Sequence, residues 1–507
     1  MDDTVKALND SPTLWALIAG RAAASPLAPV LLDTDDRRMT FGELARRAER
    51  VAAGLYGLGA RPGTRFAWQL PTRIESVVLS AALARLGAVQ TPVIPIYRDR
   101  EVAHIIRRTR AEFFVVPGEW RGFDYTAMAR RVSRELPEPP LLLTAYDRLP
   151  EGDPALLPEP PTDGTAVRWI YWTSGTTSEP KGVLHTDRSL IAGGSCLAHA
   201  LEMRPDDVGS IAFPYAHIGG PDYLVMLLLY GFPALLLEKF ALPDCLDAYR
   251  RHGVTMAGGS TAFYSLFLAA QRGLPAGEKL IPTLRLLSGG GAPKPPELYH
   301  EVARELGCRL THGYGMTEAP MITMGSPRDP EERLAATEGR PPASMAIRIV
   351  DGEVRLRGEA VCQGYTDPLL TAEAFDADGW FRTGDLGRLT EDGYLVLTGR
   401  LKDIIIRKGE NISAKEIEEL LYAHPDIADA AVIGLPDPER GERVCAVIEQ
   451  PADAKPVGLA DITAYLREAG LAPQKLPEQL EVVDALPRNE TLRKVLKYQL
   501  RERFAKR

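Results

Sequence analysis

The chain has 507 residues, of which 45% are hydrophobic and 25% are charged, and this composition indicates a globular protein of more than one domain. Lys plus Arg number 60 and Asp plus Glu number 68, giving a formal net charge of −8, so the composition offers no basic footprint for nucleic acid or an anionic membrane. Five cysteines without a C-x-x-C pair give neither a readable disulfide framework nor a zinc site.

The first residues and the most apolar stretch predict a cytoplasmic protein without a membrane span. Residues 1–4 are acidic and lack the basic stretch and apolar core of a secretory signal. Residues 223–237 are strongly apolar, but they are fewer than the roughly 20 residues that a spanning helix needs. Gly231 and Pro233 also interrupt them. We therefore expect residues 223–237 to belong to the core.

Helical and strand-like segments alternate along the chain. Residues 40–58 have a helical period, and strand-like apolar runs follow at 65–70 and 88–94. This alternation predicts an α/β fold with largely buried sheets. The apolar face of the first helix consists of Leu44, Ala48, Val51, Ala52 and Leu55.

A hydroxyl-rich loop is the first segment that indicates chemistry. It occupies residues 171–183, after a strand-like run at 166–172 and before a helical segment that begins near Asp187. Its backbone N–H and hydroxyl groups predict a cradle for phosphate oxygens. A Walker A loop has glycine before its lysine and serine or threonine after it, whereas Lys181 lies between Pro180 and Gly182. The loop is therefore not that of a P-loop NTPase. The predicted phosphate contacts are Thr173, Ser174, Gly175, Thr176, Thr177 and Lys181.

Three further segments follow in order. Residues 287–293 come after another predicted strand, and their glycines allow a flat ring to lie on the backbone. Residues 311–318 read Thr-His-Gly-Tyr-Gly-Met-Thr-Glu. Residues 379–387 are rich in turn formers and contain one acid, Asp385, whose carboxylate can accept hydrogen bonds from two adjacent hydroxyls. Together these segments predict a nucleotide site.

The loop and these segments resemble, in sequence and in order, the motifs of the adenylate-forming (ANL) superfamily. That superfamily contains acyl-CoA synthetases, nonribosomal adenylation domains and beetle luciferases. The resemblance spans nearly the whole chain, and Ser178 stands where most members carry glycine. It implies a large N-terminal domain of layered sheets and helices and a small, mobile α+β C-terminal domain. A basic segment that begins after Arg400 places the boundary between residues 1–400 and 401–507.

The resemblance also implies a role for each matching residue. The Tyr314 ring would lie on adenine, Thr317 would contact the α-phosphate, Glu318 would hold Mg²⁺ and Asp385 would bind the ribose hydroxyls. His217 would lie beside the acyl carboxylate, and a buried structural histidine is the alternative interpretation. The remaining nucleotide contacts implied by the motifs are Gly290, Gly291, Ala292, Gly313, Gly315 and Met316.

Residues near and beyond the predicted boundary complete the implied machinery. Arg400 would reach the ribose or the phosphates, Lys402 would be the hinge, and Gly409 would line a pantetheine tunnel after the small domain rotates.

Lys494 is the implied adenylation lysine. Its segment departs from the family pattern because it has no glycine and is one residue longer, so Arg493 and Lys497 remain alternatives for this role.

These features predict an ATP-dependent, Mg²⁺-requiring ligase that converts a small-molecule carboxylic acid to acyl-AMP and transfers the acyl group to coenzyme A. One alternative is an adenylation enzyme that loads a carrier protein, for which Asp222 is only a loose candidate amino-group anchor. Others are amide formation, nitrite adenylation for diazo formation, or a non-catalytic nucleotide-binding relative. The sequence specifies neither the acid nor the oligomeric state, and a homodimer is one open arrangement.

Overall fold

Helices occur along the whole chain in the computed structural model, which describes residues 3–173, 180–242, 244–292, 294–408, 410–451, 454–489 and 494–505. One of them, α11, continues into a π-helical turn, Val302–Leu306. The helices are α1 (Asp3–Asn9), α2 (Leu14–Ala24), α3 (Phe41–Gly57), α4 (Ile74–Leu86), α5 (Asp99–Thr109), α6 (Tyr125–Arg134), α7 (Asp187–Ala200), α8 (Gly219–Tyr230), α9 (Asp244–Arg251), α10 (Thr261–Arg272), α11 (Pro296–Glu301), α12 (Glu331–Ala336), α13 (Pro368–Ala374), α14 (Ala414–Tyr422), α15 (Leu459–Glu468) and α16 (Lys497–Phe504).

The strands are mostly short. They are β1 (Pro29–Asp33), β2 (Arg38–Thr40), β3 (Arg65–Trp68), β4 (Val89–Pro92), β5 (Phe113–Val116), β6 (Glu119–Trp120), β7 (Phe123–Asp124), β8 (Leu141–Thr144), β9 (Val167–Thr173), β10 (Lys181–Thr186), β11 (Gly209–Ile211), β12 (Ala234–Leu236), β13 (Met256–Gly259), β14 (Leu286–Gly290), β15 (Arg309–Met316), β16 (Ala319–Met324), β17 (Met345–Val350), β18 (Glu353–Gly358), β19 (Phe381–Leu389), β20 (Leu395–Arg400), β21 (Ile404–Arg407), β22 (Glu410–Ser413), β23 (Asp429–Asp437), β24 (Gly441–Glu449) and β25 (Gln479–Val482).

These strands form five larger sheets. Sheet I has the order β11-β12-β1-β2, sheet II β10-β9-β4-β3-β5-β8, sheet III β13-β14-β15-β16 and sheet IV β17-β18-β19-β20. Sheet V has the order β22-β21-β24-β23, with β25 paired to β24. In sheet II, β4, β3, β5 and β8 are parallel neighbours, and helices connect most of them. The predicted α/β fold class is confirmed.

Local sequence accounts for the first predicted helix, α3. Thr40 caps it, because its hydroxyl accepts from the Glu43 backbone N–H while the Glu43 carboxylate accepts from the Thr40 N–H. All five apolar residues predicted to share one face are buried in the largest core. The predicted strand-like runs are also confirmed as β3 and β4.

The apolar stretch 223–237 forms part of the core, as predicted. It supplies most of α8 and then β12, and Leu227, Leu228 and Leu229 are fully buried. A helix that is apolar on all sides is stable in water only when other elements surround it, and α8 packs against α2 and α7. Within the described ranges, no helix combines the length and the apolarity needed to cross a bilayer.

The chain passes from sheet IV to sheet V immediately after Arg400. β20 ends at Arg400, a 3-10 turn covers Leu401–Asp403, and β21 begins at Ile404. Sheet V has a separate apolar core with α14 and α15. The predicted division into residues 1–400 and 401–507 coincides with this change of sheet, and it stays a prediction.

Candidate active site

The ends of the predicted phosphate loop are adjacent strand positions. Thr173 ends β9 and Lys181 begins β10, and these two residues are cross-strand partners in an antiparallel pair. The loop was expected to lead toward the helix near Asp187, but strand β10 intervenes and pairs with β9, so these two strands form a hairpin. Four of its predicted phosphate contacts lie outside the described residues: Ser174, Gly175, Thr176 and Thr177.

The glycine-rich segment at 287–293 does not follow a strand but contains most of one. Gly290 is the last residue of β14 and is in parallel register with Gly313 of β15. A Cβ on Gly290 would lie 2.5 Å from the Gly313 carbonyl oxygen, so a larger residue would push the strands apart. Gly291 has a φ of +81°, which favours glycine. Ala292 follows, and its carbonyl accepts from His312 Nε2 at 3.0 Å.

Tyr314, Asp385 and Arg400 form one hydrogen-bonded group. The Tyr314 hydroxyl donates to Asp385 Oδ2 at 2.5 Å, and Arg400 Nε lies 2.7 Å from Asp385 Oδ1. Burial, followed by the Asp385 charge, raises the pKa of Tyr314 well above its usual value, so the phenol stays protonated and donates. Asp385 was expected in a turn, but it lies on β19 opposite Arg400 of β20.

The ammonium of Lys494 lies within electrostatic range of this group. Two hydrogen bonds hold the Lys494 backbone, since its N–H donates to Asn489 Oδ1 and its carbonyl accepts from the Asn489 N–H, both at 2.9 Å. Burial and then repulsion from Arg400 lower its pKa to about 8, against attraction from Asp385 and Glu318.

The alternative lysine at 497 is occupied elsewhere. Lys497 Nζ forms an ion pair with Glu418 Oε1 at 2.7 Å. Arg493 lies outside the described residues. Lys494, by contrast, interacts electrostatically with Asp385 and Glu318.

His217 also lies near the Lys494 ammonium. Burial, followed by repulsion from Lys494, lowers the pKa of His217 to about 4, so its imidazole is neutral at physiological pH. Its Nδ1 accepts from the Gly219 N–H at 3.2 Å. The proton of the neutral ring is therefore on Nε2, which is available as a donor.

Two contacts that the sequence did not predict hold Thr317 and Glu318. His185 Nε2 donates to the Thr317 carbonyl at 2.7 Å, and its Nδ1 lies 2.9 Å from the Ser189 hydroxyl. The Tyr365 hydroxyl donates to Glu318 Oε1 at 2.8 Å. The position of His185, three residues after Gly182, is a weak sequence signal for its contact with Thr317. We find no sequence signal for the contact of Tyr365 with Glu318.

A second buried cluster lies behind the glycine-rich strand end. Lys294 Nζ donates to the Ala335 carbonyl, and burial lowers the pKa of Lys294 to about 8. His312 Nε2 lies 3.5 Å from Glu338 Oε2, and burial followed by the Lys294 charge lowers the pKa of His312 to about 3. This cluster supports the Ala292 carbonyl through neutral His312.

Of the predicted hinge residue, Lys402, and the predicted tunnel residue, Gly409, the structure describes only the first. Lys402 lies in the 3-10 turn between the two groups of sheets, and burial followed by Arg400 lowers its pKa. Gly409 lies outside the described residues. Gly315 and Met316 end β15 immediately before Thr317.

Contacts and electrostatic interactions link several of the described site residues. Lys181 Nζ lies 5.7 Å from the centroid of the Tyr365 ring, and Tyr365 bonds Glu318. Glu318 and Asp385 both attract Lys494. The arrangement combines cations and hydrogen-bond donors with two carboxylates and one neutral imidazole, a set suited to binding polyanions and stabilising transferred negative charge.

Family models match most of the chain. The model described as AMP-binding enzyme matches residues 18–366, and the model described as AMP-binding enzyme C-terminal domain matches residues 416–492. The chain belongs to the AMP-binding enzyme family. The resemblance to the adenylate-forming superfamily is thereby confirmed, and this AMP-binding enzyme has a large N-terminal and a small C-terminal domain like its structural neighbours.

The names of the relatives of this AMP-binding enzyme give different acceptors for the acyl group. The medium-chain fatty-acid–CoA ligase of Escherichia coli (strain K12) is 30% identical, covering 96% of this chain and 89% of the relative. The salicyl-AMP ligase / salicyl-S-ArCP synthetase of Mycobacterium tuberculosis is 32% identical over 94% of this chain and 88% of the relative.

Solved structures extend the similarity to the whole fold. ATP-bound MatB from Rhodopseudomonas palustris has a TM-score of 0.85 and 29% identity, covering 96% of this chain and 98% of that chain. The o-succinylbenzoate coenzyme A synthetase of Bacillus subtilis, in complex with ATP and magnesium ion, has a TM-score of 0.82 and 29% identity, covering 96% and 98% respectively.

Proposed function

We propose that this AMP-binding enzyme converts a carboxylic acid and ATP to acyl-AMP and pyrophosphate, and then transfers the acyl group to coenzyme A. The observation that supports it most is the position of Lys494. Its buried ammonium lies within electrostatic range of Asp385 and Glu318, with His217 beside it. These interactions support a role for the cation beside the predicted nucleotide phosphates and acyl carboxylate.

Adenylation requires such a cation because two anions must meet. At about 4 Å and an effective dielectric constant of about 20, a carboxylate and a phosphate charge repel by roughly 4 kcal/mol, which corresponds to about three decades of rate. Lys494 would offset this repulsion and would stabilise the negative charge that develops as pyrophosphate leaves. The pKa of this ammonium is low because burial disfavours its charged form before the anionic substrates bind.

The nucleotide would lie between sheets III and IV. The Tyr314 ring would face adenine, and the Asp385 carboxylate would accept from the ribose hydroxyls, with Arg400 beside it. Neutral His217 would donate from Nε2 to a carboxylate oxygen of the acid, since its Nδ1 is already an acceptor. Thr317 would orient the α-phosphate, and its own carbonyl is fixed by His185.

Glu318 fits a Mg²⁺ site that is completed by phosphates. Among the described residues, no group of three or more His, Cys, Asp or Glu side chains could hold a metal ion. Mg²⁺ in nucleotide enzymes is commonly held by one or two carboxylates together with substrate phosphates and water, and Glu318 supplies one carboxylate. When bound, Mg²⁺ would neutralise part of the phosphate charge.

The second half-reaction needs a different arrangement, because the thiol must approach the acyl-AMP where Lys494 now lies. A rotation of the C-terminal domain about Lys402 would withdraw Lys494 and bring Gly409 to the site. Lys402 lies in the turn that separates sheets IV and V, which is a suitable position for a hinge.

Two variants test this assignment. Lys494→Ala is expected to abolish acid-dependent pyrophosphate exchange and to retain thioester formation from supplied acyl-AMP, whereas Gly409→Leu is expected to do the reverse. Lys497→Ala is the matched control, since Lys497 pairs with Glu418. The panel of acids should include fatty, alicyclic and aromatic members. Wild-type pyrophosphate exchange in Lys494→Ala would refute the role of this lysine.

A carrier protein is the second candidate acceptor. The similarity to the salicyl-AMP ligase / salicyl-S-ArCP synthetase supports it. Product analysis decides between the two acceptors: acyl-CoA formed from acid, ATP and CoA supports the first, and accumulated acyl-AMP that acylates only a phosphopantetheinyl carrier protein supports the second.

A further inference from the structure

The segment 362–366 lies between the phosphate-loop hairpin and Glu318. On one side it pairs with β10: the Gln363 N–H donates to the Leu184 carbonyl at 2.8 Å, and the Thr366 N–H donates to the Gly182 carbonyl at 2.8 Å. On the other side, the Cys362 N–H donates to the Glu318 carbonyl at 2.8 Å. Backbone hydrogen bonds on both sides therefore fix the position of this segment.

The hairpin and the segment are also in close steric contact. A Cβ on Gly182 would lie 2.8 Å from Thr366 Cγ2, and Val183 forms an isolated antiparallel bridge with Tyr365. The glycine after Lys181 is therefore needed for this close approach. A displacement of residues 362–366 would be transmitted directly to the base of the phosphate loop.

Tyr365 projects from this segment toward two predicted phosphate-site residues. Its hydroxyl donates to Glu318 Oε1 at 2.8 Å, and its ring centroid lies 5.7 Å from Lys181 Nζ. Tyr365 is 9% exposed, whereas Lys181 and Glu318 are each partly exposed. A single buried side chain thus contacts the predicted metal carboxylate through its hydroxyl and the loop lysine through its ring.

Each contact restricts the group that it touches. A carboxylate that accepts one hydrogen bond on Oε1 is held in one rotamer, and Oε2 is left for a hard cation. The face of an aromatic ring attracts an ammonium within about 6 Å, so the ring favours one position of Lys181 before any phosphate arrives.

We propose that Tyr365 is a positioning residue that holds Glu318 for Mg²⁺ and Lys181 for the nucleotide phosphates. This inference rests on the proposed adenylation function. Tyr365 acts through Glu318 and Lys181, and it need not touch the substrate. Outer hydrogen-bond partners of metal ligands typically change metal affinity by about 10–100-fold when they are removed.

The test separates the hydroxyl from the ring. Tyr365→Phe removes only the donor to Glu318, whereas Tyr365→Leu also removes the aromatic face toward Lys181. Tyr394→Phe is the matched control, because it removes another buried tyrosine hydroxyl that donates to a carboxylate, Asp329 Oδ1 at 2.8 Å.

The primary readout is independent of turnover. Mn²⁺, which takes oxygen ligands similar to those of Mg²⁺, is titrated by electron paramagnetic resonance in the presence of α,β-methylene-ATP. Tyr365→Phe is expected to weaken Mn²⁺ binding by about 10-fold or more, while Tyr394→Phe leaves it unchanged.

In pyrophosphate exchange, the Mg²⁺ concentration that Tyr365→Phe requires should rise by a similar factor without a change in KM for the acid. Tyr365→Leu should in addition raise KM for ATP.

A double-mutant cycle tests whether the effect passes through Glu318. In a Glu318→Gln background, Tyr365→Phe should cause no further loss of Mn²⁺ affinity. Unchanged Mn²⁺ affinity in Tyr365→Phe, or an equal loss in both backgrounds, would overturn the inference. If wild-type protein binds Mn²⁺ and nucleotide but exchanges pyrophosphate with no acid, the proposed function fails while the Mn²⁺ titration still decides the role of Tyr365.

Discussion

Adenylate formation by this enzyme should be lost as the pH rises through about 8. The pKa of Lys494 is lowered to about 8, first by burial and then by Arg400, and the charged form is the one that offsets phosphate repulsion. About 91% of Lys494 is therefore protonated at pH 7 and about 9% at pH 9. We expect kcat/KM for ATP, which reports on the free enzyme, to fall about tenfold across this interval. In kcat the decline should occur at higher pH, because bound phosphates raise the pKa of the ammonium.

The assay is acid-dependent pyrophosphate exchange from pH 6.5 to 9.5, with the acid kept well below its KM so that the free enzyme is the species that titrates. Lys494→Arg is the first control, since a guanidinium does not titrate in this range; its activity is expected to be lower but flat above pH 8. Lys294→Met is the second control, because burial also lowers the pKa of Lys294 to about 8. His217 titrates at about 4, outside this range.

Two results would refute this reasoning. One is a wild-type kcat/KM that stays constant between pH 7 and 9.5. The other is a decline above pH 8 that persists in Lys494→Arg but disappears in Lys294→Met, which would assign the titration to the cluster behind the glycine-rich strand end and not to the adenylation lysine.

Two further substitutions have expected outcomes. Asp385→Asn removes the charge that faces Arg400 and the predicted ribose, so KM for ATP should rise about 10-fold or more; an unchanged KM in a stably folded variant would contradict the ribose role. Arg285→Met leaves Asp207 buried without its 2.5 Å ion-pair partner and should destabilise the protein by about 3 kcal/mol in thermal or urea unfolding at pH 7. Although burial raises the pKa of Asp207, hydrogen bonds from Arg285 and Thr255 lower it overall, so the wild-type advantage should be present at neutral pH and should shrink as the pH falls below about 4. A loss that does not depend on pH would mean that the ion pair is not its cause.

Local sequence patterns predicted many of the secondary-structure elements. The apolar period of α3, the runs that become β3 and β4, and the apolar stretch of α8 are each set by burial of a continuous face. The motifs also included Tyr314, Asp385 and Arg400, which form one hydrogen-bonded group in the structure, and the roles assigned to these residues stay predictions.

Tertiary pairing overrode the local patterns elsewhere. Glycines around Asp385 indicated a turn, but Asp385 lies within β19 between two paired strands, and the local irregularity is a break in the pairing with β18 between Arg382 and Leu386, where Gly384 has a φ of +68°. Strand β10 was hidden within the loop motif, although its pairing with β9 defines the hairpin. The contacts of His185 with Thr317 and of Tyr365 with Glu318 span 132 and 47 positions, and a single sequence carries no record of such distant partners.

Both oxygens of the Asp385 carboxylate are already engaged, one by Tyr314 and the other by Arg400, which is the last residue before the 3-10 turn that contains Lys402. If Asp385 binds the ribose as proposed, the sugar hydroxyls would have to share or displace these bonds. Nucleotide binding would then act on the residue that precedes the proposed hinge, so nucleotide alone, without any acid, should alter the orientation of the C-terminal half.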